Sequence, residues 1–378
     1  MAQQLRILHC FRSPVGGIFR HVRDLTQAQV AAGHQVGIVC DSTTGGAHEA
    51  RLFAEIEPQL ALGIHRTPIQ RNIGLGDIAA AWRTYKIIKQ LQPDVLHGHG
   101  AKGGVYARMF GSLLRVSRSR VARLYSPHGG SLHYDEQTMF GRTVFAIERL
   151  MERFTTDQLL FVSEHEMRAF VSKVGQPKAP YRLVYNGLRA EEFEPVSPNT
   201  DAADFLYIGM MRDLKGPDIF IDALAKAENA LSRPLKAVMV GDGDDLPHYK
   251  AQAAGLGLAD RITFHPAMPA RQAFALGRVI VVPSRAEAMP YIVLEALAAG
   301  MPMIATKVGG IPEILGPSSP ALIRPGSADA LAERMVEAID DPQGLHNAMP
   351  SPEALQTRFG ADVMAREIEK AYFDALAR

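Results

Sequence analysis

Only two cysteines, Cys10 and Cys40, occur in 378 residues. Two are too few for a disulfide framework, and no cluster of other ligand side chains surrounds either one. Both fall in apolar runs that predict buried strands, which suits a reducing compartment. Long apolar stretches are missing as well. The longest, after Met289, is broken by Gly300 and Pro302, short of the roughly 20 residues that a membrane-spanning helix needs. The opening MAQQLRILHCF has no apolar leader core and no small-residue cleavage site, so no leader is expected and a cytoplasmic location is. There is no low-complexity tract and no Walker A sequence. Neither Gly16-Gly17 nor Gly241-Asp242-Gly243-Asp244-Asp245-Leu246 supplies the third glycine of a dinucleotide fingerprint, which argues against NAD.

What is present describes an ordinary globular chain, 47% hydrophobic and 21% charged, long enough for two domains. The net charge of +1 conceals an asymmetry. Residues 1–190 hold 24 Lys and Arg against 14 Asp and Glu, while 191–378 hold 17 against 26. A basic half suggests an anionic partner for that half, and attraction between two oppositely charged domains would explain part of it.

Short apolar runs recur along the chain, at 6–11, 35–41, 94–98, 123–126, 158–163 and 181–184, and again at 205–210, 237–241, 261–264, 279–283, 302–306 and 321–323. Most are apolar on both faces, the mark of central parallel strands. Amphipathic helices are predicted at 18–32, 78–91, 141–154, 217–231, 328–339 and 361–376. Such alternation gives an α/β class with two doubly wound domains, and ligands are expected at the carboxyl ends of their strands. Asn186-Gly187 and the polar stretch that follows, with Pro195 and Pro198, place a linker at about 190–203. The domains are then 1–190 and 204–360, with 361–378 as a terminal helix.

The most informative segment is EAMPYIVLE, which sets Glu287 and Glu295 eight residues apart across the entry to an apolar helix. Glu295 is the only charged residue from Ala288 to Thr306, so the segment is expected to be buried and Glu295 to need a partner. Pro290 suits a first helical position. A loop carboxylate, a helix N-terminus and a helical carboxylate together suit an anion joined to a polyol, which is the outline of a nucleotide-sugar pocket. Arg212 and Lys215, followed by Gly216-Pro217, stand where two cations would clamp a diphosphate; a solvated turn is the plainer alternative. Gly16-Gly17 precedes a helix and would let backbone amides approach a phosphate, although a plain loop fits equally well. His128, beside two glycines at a strand end, suits an acid/base or a hydrogen-bonding role. His97 and His99 have i,i+2 spacing with no third metal ligand nearby in sequence. Residues 102–123 carry six cations (Lys102, Arg108, Arg115, Arg118, Arg120 and Arg123), no acid, and interleaved Met109, Phe110, Leu113 and Leu114. That run reads as a contact for anionic lipid or as a solvated loop. No aromatic platform accompanies it, so nucleic acid is not expected.

Taken in order, the Gly16-Gly17 loop, the HGG at His128, VYNGL, the Arg212/Lys215 pair and the E-x7-E segment running on through EALAAGMPMIATKVGGIPEIL resemble one family. It is that of the retaining glycosyltransferases of GT-B fold, with two Rossmann-like domains facing across a cleft, and the likeness covers almost the whole chain. It implies that Glu295 accepts hydrogen bonds from the ribose and that Glu287 stands beside the donor sugar. Amides around Met289, Pro290 and Tyr291, together with Arg212 and Lys215, would hold the diphosphate. Gly16 and Gly17 would approach the distal phosphate, and His128 would face the sugar and acceptor. The final helix would cross back onto the first domain. Pro290 stands where many members have glycine, which removes one backbone donor, and the Arg-to-Lys spacing is shorter than the commonest pattern.

The resemblance implies transfer of a hexose from a nucleotide sugar, UDP-linked by preference, to a glycan or glycolipid of a bacterial envelope or exopolysaccharide, with retained configuration. No D-x-D sequence stands in a metal-binding setting, so neither metal nor cofactor is expected. A peripheral place on the inner membrane face, through 102–123, is the corresponding expectation for location. The rivals are a UDP-N-acetylglucosamine 2-epimerase of the same architecture and a catalytically silent nucleotide-sugar-binding subunit.

Overall fold

The computed structural model describes residues 3–69, 75–116 and 120–378. Of the cations in 102–123, Arg118 lies outside the described residues. Two compact units form: Met1–Gly187 together with Ala361–Arg378, and Leu188–Gly360. The first contains β1 (Arg6–Phe11), β2 (Gln35–Asp41), β3 (Ile64–Thr67), β4 (Val95–His99), β5 (Ala122–Ser126), β6 (Gln158–Phe161) and β7 (Tyr181–Leu183). These make one parallel sheet in the order β3-β2-β1-β4-β5-β6-β7. The second unit contains β8 (Ala203–Ile208), β9 (Ala237–Val240), β10 (Ile262–His265), β11 (Gly277–Val282), β12 (Met303–Thr306) and β13 (Leu322–Ile323). Their order is β10-β9-β8-β11-β12-β13, again parallel.

Both sheets are doubly wound, and in each the strand order reverses beside the first strand, between β1 and β4 and between β8 and β11. Loops leaving the carboxyl ends of those strands splay apart there, which opens a crevice for ligands. The central strands are largely buried on both faces, so they read in sequence as mostly apolar runs. β3 was not apparent from the sequence because IHRT is a mostly half-exposed edge strand with little apolar signal.

Five helices of eight residues or more also escaped the periodic pattern in the two units: Ala47–Ile56, Gly100–Val116, Glu164–Lys173, Leu246–Gly255 and Pro352–Phe359. The second is instructive. Its glycines suggest a loop, yet they are demanded by packing: a Cβ at Gly103 would lie 2.2 Å from the Cys10 carbonyl oxygen, and one at Gly104 would lie 2.3 Å from the Tyr125 ring. Glycine here lets a helix settle directly onto the ends of β1 and β5.

This helix also corrects the reading of 102–123 as a solvated basic run. Arg108 is fully buried, forms a two-pronged ion pair with Glu148 at 2.5 and 3.2 Å, and lies 4.0 Å above the Tyr125 ring. Arg123 and Arg115 both bond Asp157. Arg120 donates to the Leu376 carbonyl. Most of these cations are structural.

The final helix, Ala361–Ala377, belongs to the first unit. Met364, Ile368, Ala371, Tyr372 and Ala375 pack with Leu5, Ile7, Leu25 and Val95 in one buried cluster. Leu188 and Gly360, the ends of the second unit, pair as a parallel bridge. Cys10 and Cys40 are buried thiols, each pushed up to about 12 by desolvation. Among the described residues, no helix is long and apolar enough to cross a membrane.

Candidate active site

In the second unit the switch point lies between the end of β8 and the end of β11. After β8 the chain runs through Gly209 to a short 3-10 turn, Asp213–Lys215. Gly216 follows with φ +68° and leads into the helix Pro217–Leu231. A side chain at Gly216 would put Cβ 2.3 Å from the Pro283 carbonyl oxygen, so the turn nests against the end of β11. Arg285 fastens the arrangement. It donates to both Asp218 oxygens at 2.9 and 2.6 Å and to the Asp213 carbonyl at 2.7 Å, while its own amide donates to the Leu214 carbonyl. Its guanidinium pKa is raised by those bonds, whereas the Asp218 carboxyl, despite partial burial, is held below its usual value by Arg285.

That clamp sets Lys215 beside Glu287. Lys215 Nζ donates to Glu287 Oε1 at 2.6 Å, and Ser284 Oγ donates to the same oxygen at 2.7 Å. Only about 8% of the Glu287 side chain is exposed. Both bonds fall on Oε1, which leaves Oε2 as the carboxylate oxygen open to a further donor. Arg212 is exposed, and no ion pair forms at it among the described residues.

The apolar helix spans Tyr291–Ala298 and no side chain caps it. Pro290 does not occupy a first helical position; it is the N-cap, with φ −74° and ψ 122°. An extended residue there turns the amides of the first turn toward the loop. Met289 and Tyr291 are buried. Glu295 is half-buried rather than enclosed. Behind Glu287, the Val308-Gly309-Gly310 turn closes on the loop. Gly310 N donates to the Ala288 carbonyl at 2.8 Å, and a Cβ at Gly309 (φ +57°) would lie 1.8 Å from the Glu287 carbonyl oxygen.

The first unit carries its own cluster at the β1/β4 switch point. Gly16 (φ +68°) and Gly17 are exposed and open the helix Gly16–Ala31, which no side chain caps. His128 has φ +49°, unusual outside glycine, and Gly129 and Gly130 continue with positive φ. The turn is held from below: the Glu166 carboxylate accepts the Gly129 N–H at 2.5 Å and the Val162 N–H at 2.9 Å.

Behind His128 stand four more histidines. His99 is 3.1 Å from His128, ring nitrogen to ring nitrogen, and 3.0 Å from His9. His97 bonds Tyr372 and Ser126, and His21 bonds Asn186. Burial holds His9 and His21 down to about 4 and pulls His97, His99 and His128 well below the usual histidine value, so all five rings are neutral at pH 7. The sequence offered no third ligand near His97 and His99. The fold supplies one, since the ring nitrogens of His9, His97 and His99, and likewise those of His21, His99 and His128, lie within 4.8 Å of one another. Either trio could hold a cation, although hydrogen bonds already engage most of these nitrogens.

The structure thus gathers Lys215 and Glu287, adds Ser284, Arg285 and Asp218, and places Arg212, Glu295 and Met289–Tyr291 on the loops and helix around the same switch point. Gly16, Gly17 and His128 stand at the corresponding point of the first unit. Arg285 and Asp218 give no local signal in sequence, since they meet only when the β8 and β11 loops are brought together.

Comparison with known proteins decides the family. Residues 189–354 match the family described as "Glycosyl transferases group 1", and residues 15–192 match "Glycosyltransferase Family 4". The chain is a glycosyltransferase of GT-B fold, with the group 1 match confined to its second unit. Among solved structures, this glycosyltransferase superposes on Anabaena HepE in complex with UDP-glucose with a TM-score of 0.80 at 19% identity, covering 97% of this chain and 99% of that one. Sucrose-phosphate synthase from Thermosynechococcus elongatus gives 0.78 at 20% identity, covering 99% and 100%. A D-inositol 3-phosphate glycosyltransferase of Acidothermus cellulolyticus is 26% identical over 75% of this chain and 68% of its own length. One polypeptide of the phosphatidylinositol N-acetylglucosaminyltransferase of Arabidopsis thaliana is 23% identical over 88% and 74%.

Proposed function

We propose that this glycosyltransferase moves a hexose from a UDP-sugar to a glycan or glycolipid acceptor with retention of configuration and without a metal ion at the diphosphate. One observation carries the reading: a lysine-bonded carboxylate and an uncapped helix N-terminus share the switch point of the second unit. The leaving nucleoside diphosphate gains negative charge as the sugar departs. Lys215, Arg212 and the backbone N–H groups around Met289 and Tyr291 supply fixed positive poles for that charge, worth most where they are held in advance. Arg285 and Asp218 do the holding.

Glu295, half-buried in its helix, is assigned to the ribose hydroxyls. Glu287 is assigned to the transferred sugar, with Oε2 accepting from a sugar hydroxyl. Its Oε1 is already shared by an ammonium and a hydroxyl, which weakens it as a nucleophile and favours a front-face, ion-pair-like route over a covalent intermediate. In the first unit, Gly16 and Gly17 are assigned to phosphate and His128 to the sugar and acceptor. UDP is favoured as the carrier because HepE, of the same fold, is known in complex with UDP-glucose. An inositol-bearing acceptor joins the candidates because the names of two relatives contain one.

A peripheral membrane contact belongs to the same proposal, through the exposed face of 102–123. Met109, Leu113 and Val116 are exposed at helical spacing there. The adjoining helix Met139–Thr155 adds exposed Phe140, Ile147, Leu150 and Phe154, flanked by exposed Arg142, Arg149 and Arg153. An anionic bilayer matches that mixture of apolar and cationic side chains.

The test combines calorimetric binding of UDP, GDP and UDP-glucose, with and without EDTA, and a sugar-labelled transfer assay over a panel of glycan, glycolipid and inositol acceptors. Label moving to an acceptor supports transfer. Label confined to a free, epimerised nucleotide sugar identifies the epimerase, and tight binding without turnover identifies the silent binding protein.

A further inference from the structure

The proposed reaction uses one histidine of the first unit, yet five are gathered there. Four of them are almost completely buried: His9, His21, His97 and His99. Burying a neutral imidazole requires that each ring nitrogen find a partner of opposite kind, because one is a donor and the other an acceptor. His21 stands apart, with Nδ1 on Asn186 and no partner at Nε2 among the described residues, whereas the partners of His9, His97 and His99, together with His128, form a single chain. Reading inward from the half-buried end, His128 Nε2 meets His99 Nδ1 at 3.1 Å, and His99 Nε2 meets His9 Nδ1 at 3.0 Å. His9 Nε2 meets Gln29 Oε1 at 2.8 Å. Gln29 Nε2 donates to Tyr372 OH at 3.1 Å, Tyr372 OH meets His97 Nδ1 at 2.8 Å, and His97 Nε2 meets Ser126 Oγ at 2.9 Å.

Within such a chain a donor and an acceptor must alternate at every link, so one member of fixed polarity orients all the others. Gln29 is that member: its amide has one donor end and one acceptor end, and with the oxygen toward His9 it gives the whole chain one polarity. Its oxygen faces His9, so His9 carries its proton on Nε2 and offers a lone pair at Nδ1. His99 must then donate from Nε2 and accept at Nδ1. His128 must donate from Nε2. On the other side, Tyr372 accepts from Gln29 and donates to His97 Nδ1, which leaves His97 to donate from Nε2 to Ser126.

We infer that Gln29, through His9 and His99, locks His128 in the tautomer protonated at Nε2, so that its Nδ1 is a fixed hydrogen-bond acceptor for a hydroxyl of the bound sugar. Gln29, His9, His99 and Tyr372 are positioning residues; none of them touches substrate. The assignment of His128 to the sugar rests on the proposed function, but the tautomer does not. Desolvation supports the arrangement, because it keeps every ring neutral and so keeps the alternation intact. The backbone supports it too. His128 is held at φ +49° by the Gly129–Glu166 bond, which fixes where the ring meets the chain. A free imidazole exchanges tautomers readily and would present a donor or an acceptor by turns. A locked one discriminates, because a site whose acceptor is fixed rejects a substrate lacking the matching hydroxyl.

The experiment is long-range proton–nitrogen NMR of the full-length protein labelled at histidine nitrogens, at pH 7.5, with each ring assigned by single substitution. It needs no substrate and no turnover. The inference requires a protonated Nε2 and a bare Nδ1 at His128, His99 and His9 alike. Gln29→Met removes the fixed amide and should give a mixture of tautomers at all three rings, whereas Gln29→Glu keeps an acceptor toward His9 and should preserve the wild-type pattern. If Gln29→Met fails to fold, the wild type and Gln29→Glu carry the test by themselves. A bare Nε2 at His128 in the wild type overturns the inference, as do unchanged tautomers in folded Gln29→Met. A kinetic arm separates this from the function proposal: against deoxy analogues of the UDP-hexose, wild type and Gln29→Glu should reject the analogue lacking the matched hydroxyl at least 10-fold more than Gln29→Met does. If no transfer is seen with any donor, the proposed function fails while the tautomer result stands.

Discussion

Lys215 Nζ lies 2.6 Å from Glu287 Oε1, a bond between residues 72 apart in sequence that ties the loop after β8 to the loop after β11. It joins the cation assigned to the diphosphate with the carboxylate assigned to the sugar. Movement of either is therefore felt by both. Replacing Glu287 with alanine should lower kcat by about 10²–10³, the usual cost of removing a fixed polar group from a transition state. Binding of UDP, which has no sugar to contact, should change little. The check is steady-state transfer beside calorimetric UDP affinity; a loss confined to UDP affinity would put Glu287 on the nucleotide instead.

Gly309 makes a sharper structural prediction. Its φ of +57° and the 1.8 Å approach of a built Cβ to the Glu287 carbonyl oxygen leave no room for a side chain. Gly309→Ala should displace the Glu287 loop, lower turnover at least 10-fold, and leave the fold of both units standing, since the clash is confined to one turn. Circular dichroism and transfer rate measured on the same preparation decide it.

Much of this was legible in the sequence, for a physical reason. Central parallel strands buried on both faces are largely apolar, so β1, β2, β8, β9, β11 and β12 announced themselves, and the E-x7-E spacing straddled a loop-to-helix junction that chain order alone makes visible. Gly100–Val116 was hidden because its glycines serve close packing while imitating a loop. Pairings such as Arg285 with Asp218, His9 with His99, and Gln29 with Tyr372 were hidden more deeply. They depend on strand order, and a reversal beside β1 or β8 cannot be seen from spacing. The basic run at 102–123 misled in the opposite direction, because Glu148 and Asp157, which neutralise its arginines, lie outside it.

The neutral histidines predict how stability responds to acid. Unfolded, each ring titrates near its ordinary 6.5; folded, His9 and His21 are depressed to about 4. Depressed folded values mean that the unfolded chain binds protons first as pH falls. Stability from these two rings is therefore whole above about 6.5, is lost progressively down to about 4, and falls no further below that. Each contributes a slope of about 1.4 kcal/mol per pH unit inside the window. Denaturation midpoints at pH 7.5, 6 and 5 should fall steeply over that range, and His21→Gln should flatten the slope while leaving its sign unchanged.

The exposed apolar faces predict a dependence on both charge and area. Sedimentation with vesicles rich in anionic lipid should capture the protein, more weakly as salt rises. Replacing Ile147 and Leu150 with serine should reduce capture several-fold, and neutralising Arg142, Arg149 and Arg153 should do the same. Binding indifferent to both sets removes the membrane contact from the account.

The central claim is that the mouth of the helix Tyr291–Ala298 receives the nucleotide of a sugar donor, with Glu295 on its ribose. Calorimetric titration of UDP into the wild type and into Glu295→Ala tests it most directly. Two lost hydrogen bonds to a charged acceptor correspond to about 2–4 kcal/mol, or roughly 30- to 1000-fold in Kd, and the account predicts a weakening in that range with the fold intact. Equal UDP affinity in the two proteins would contradict it.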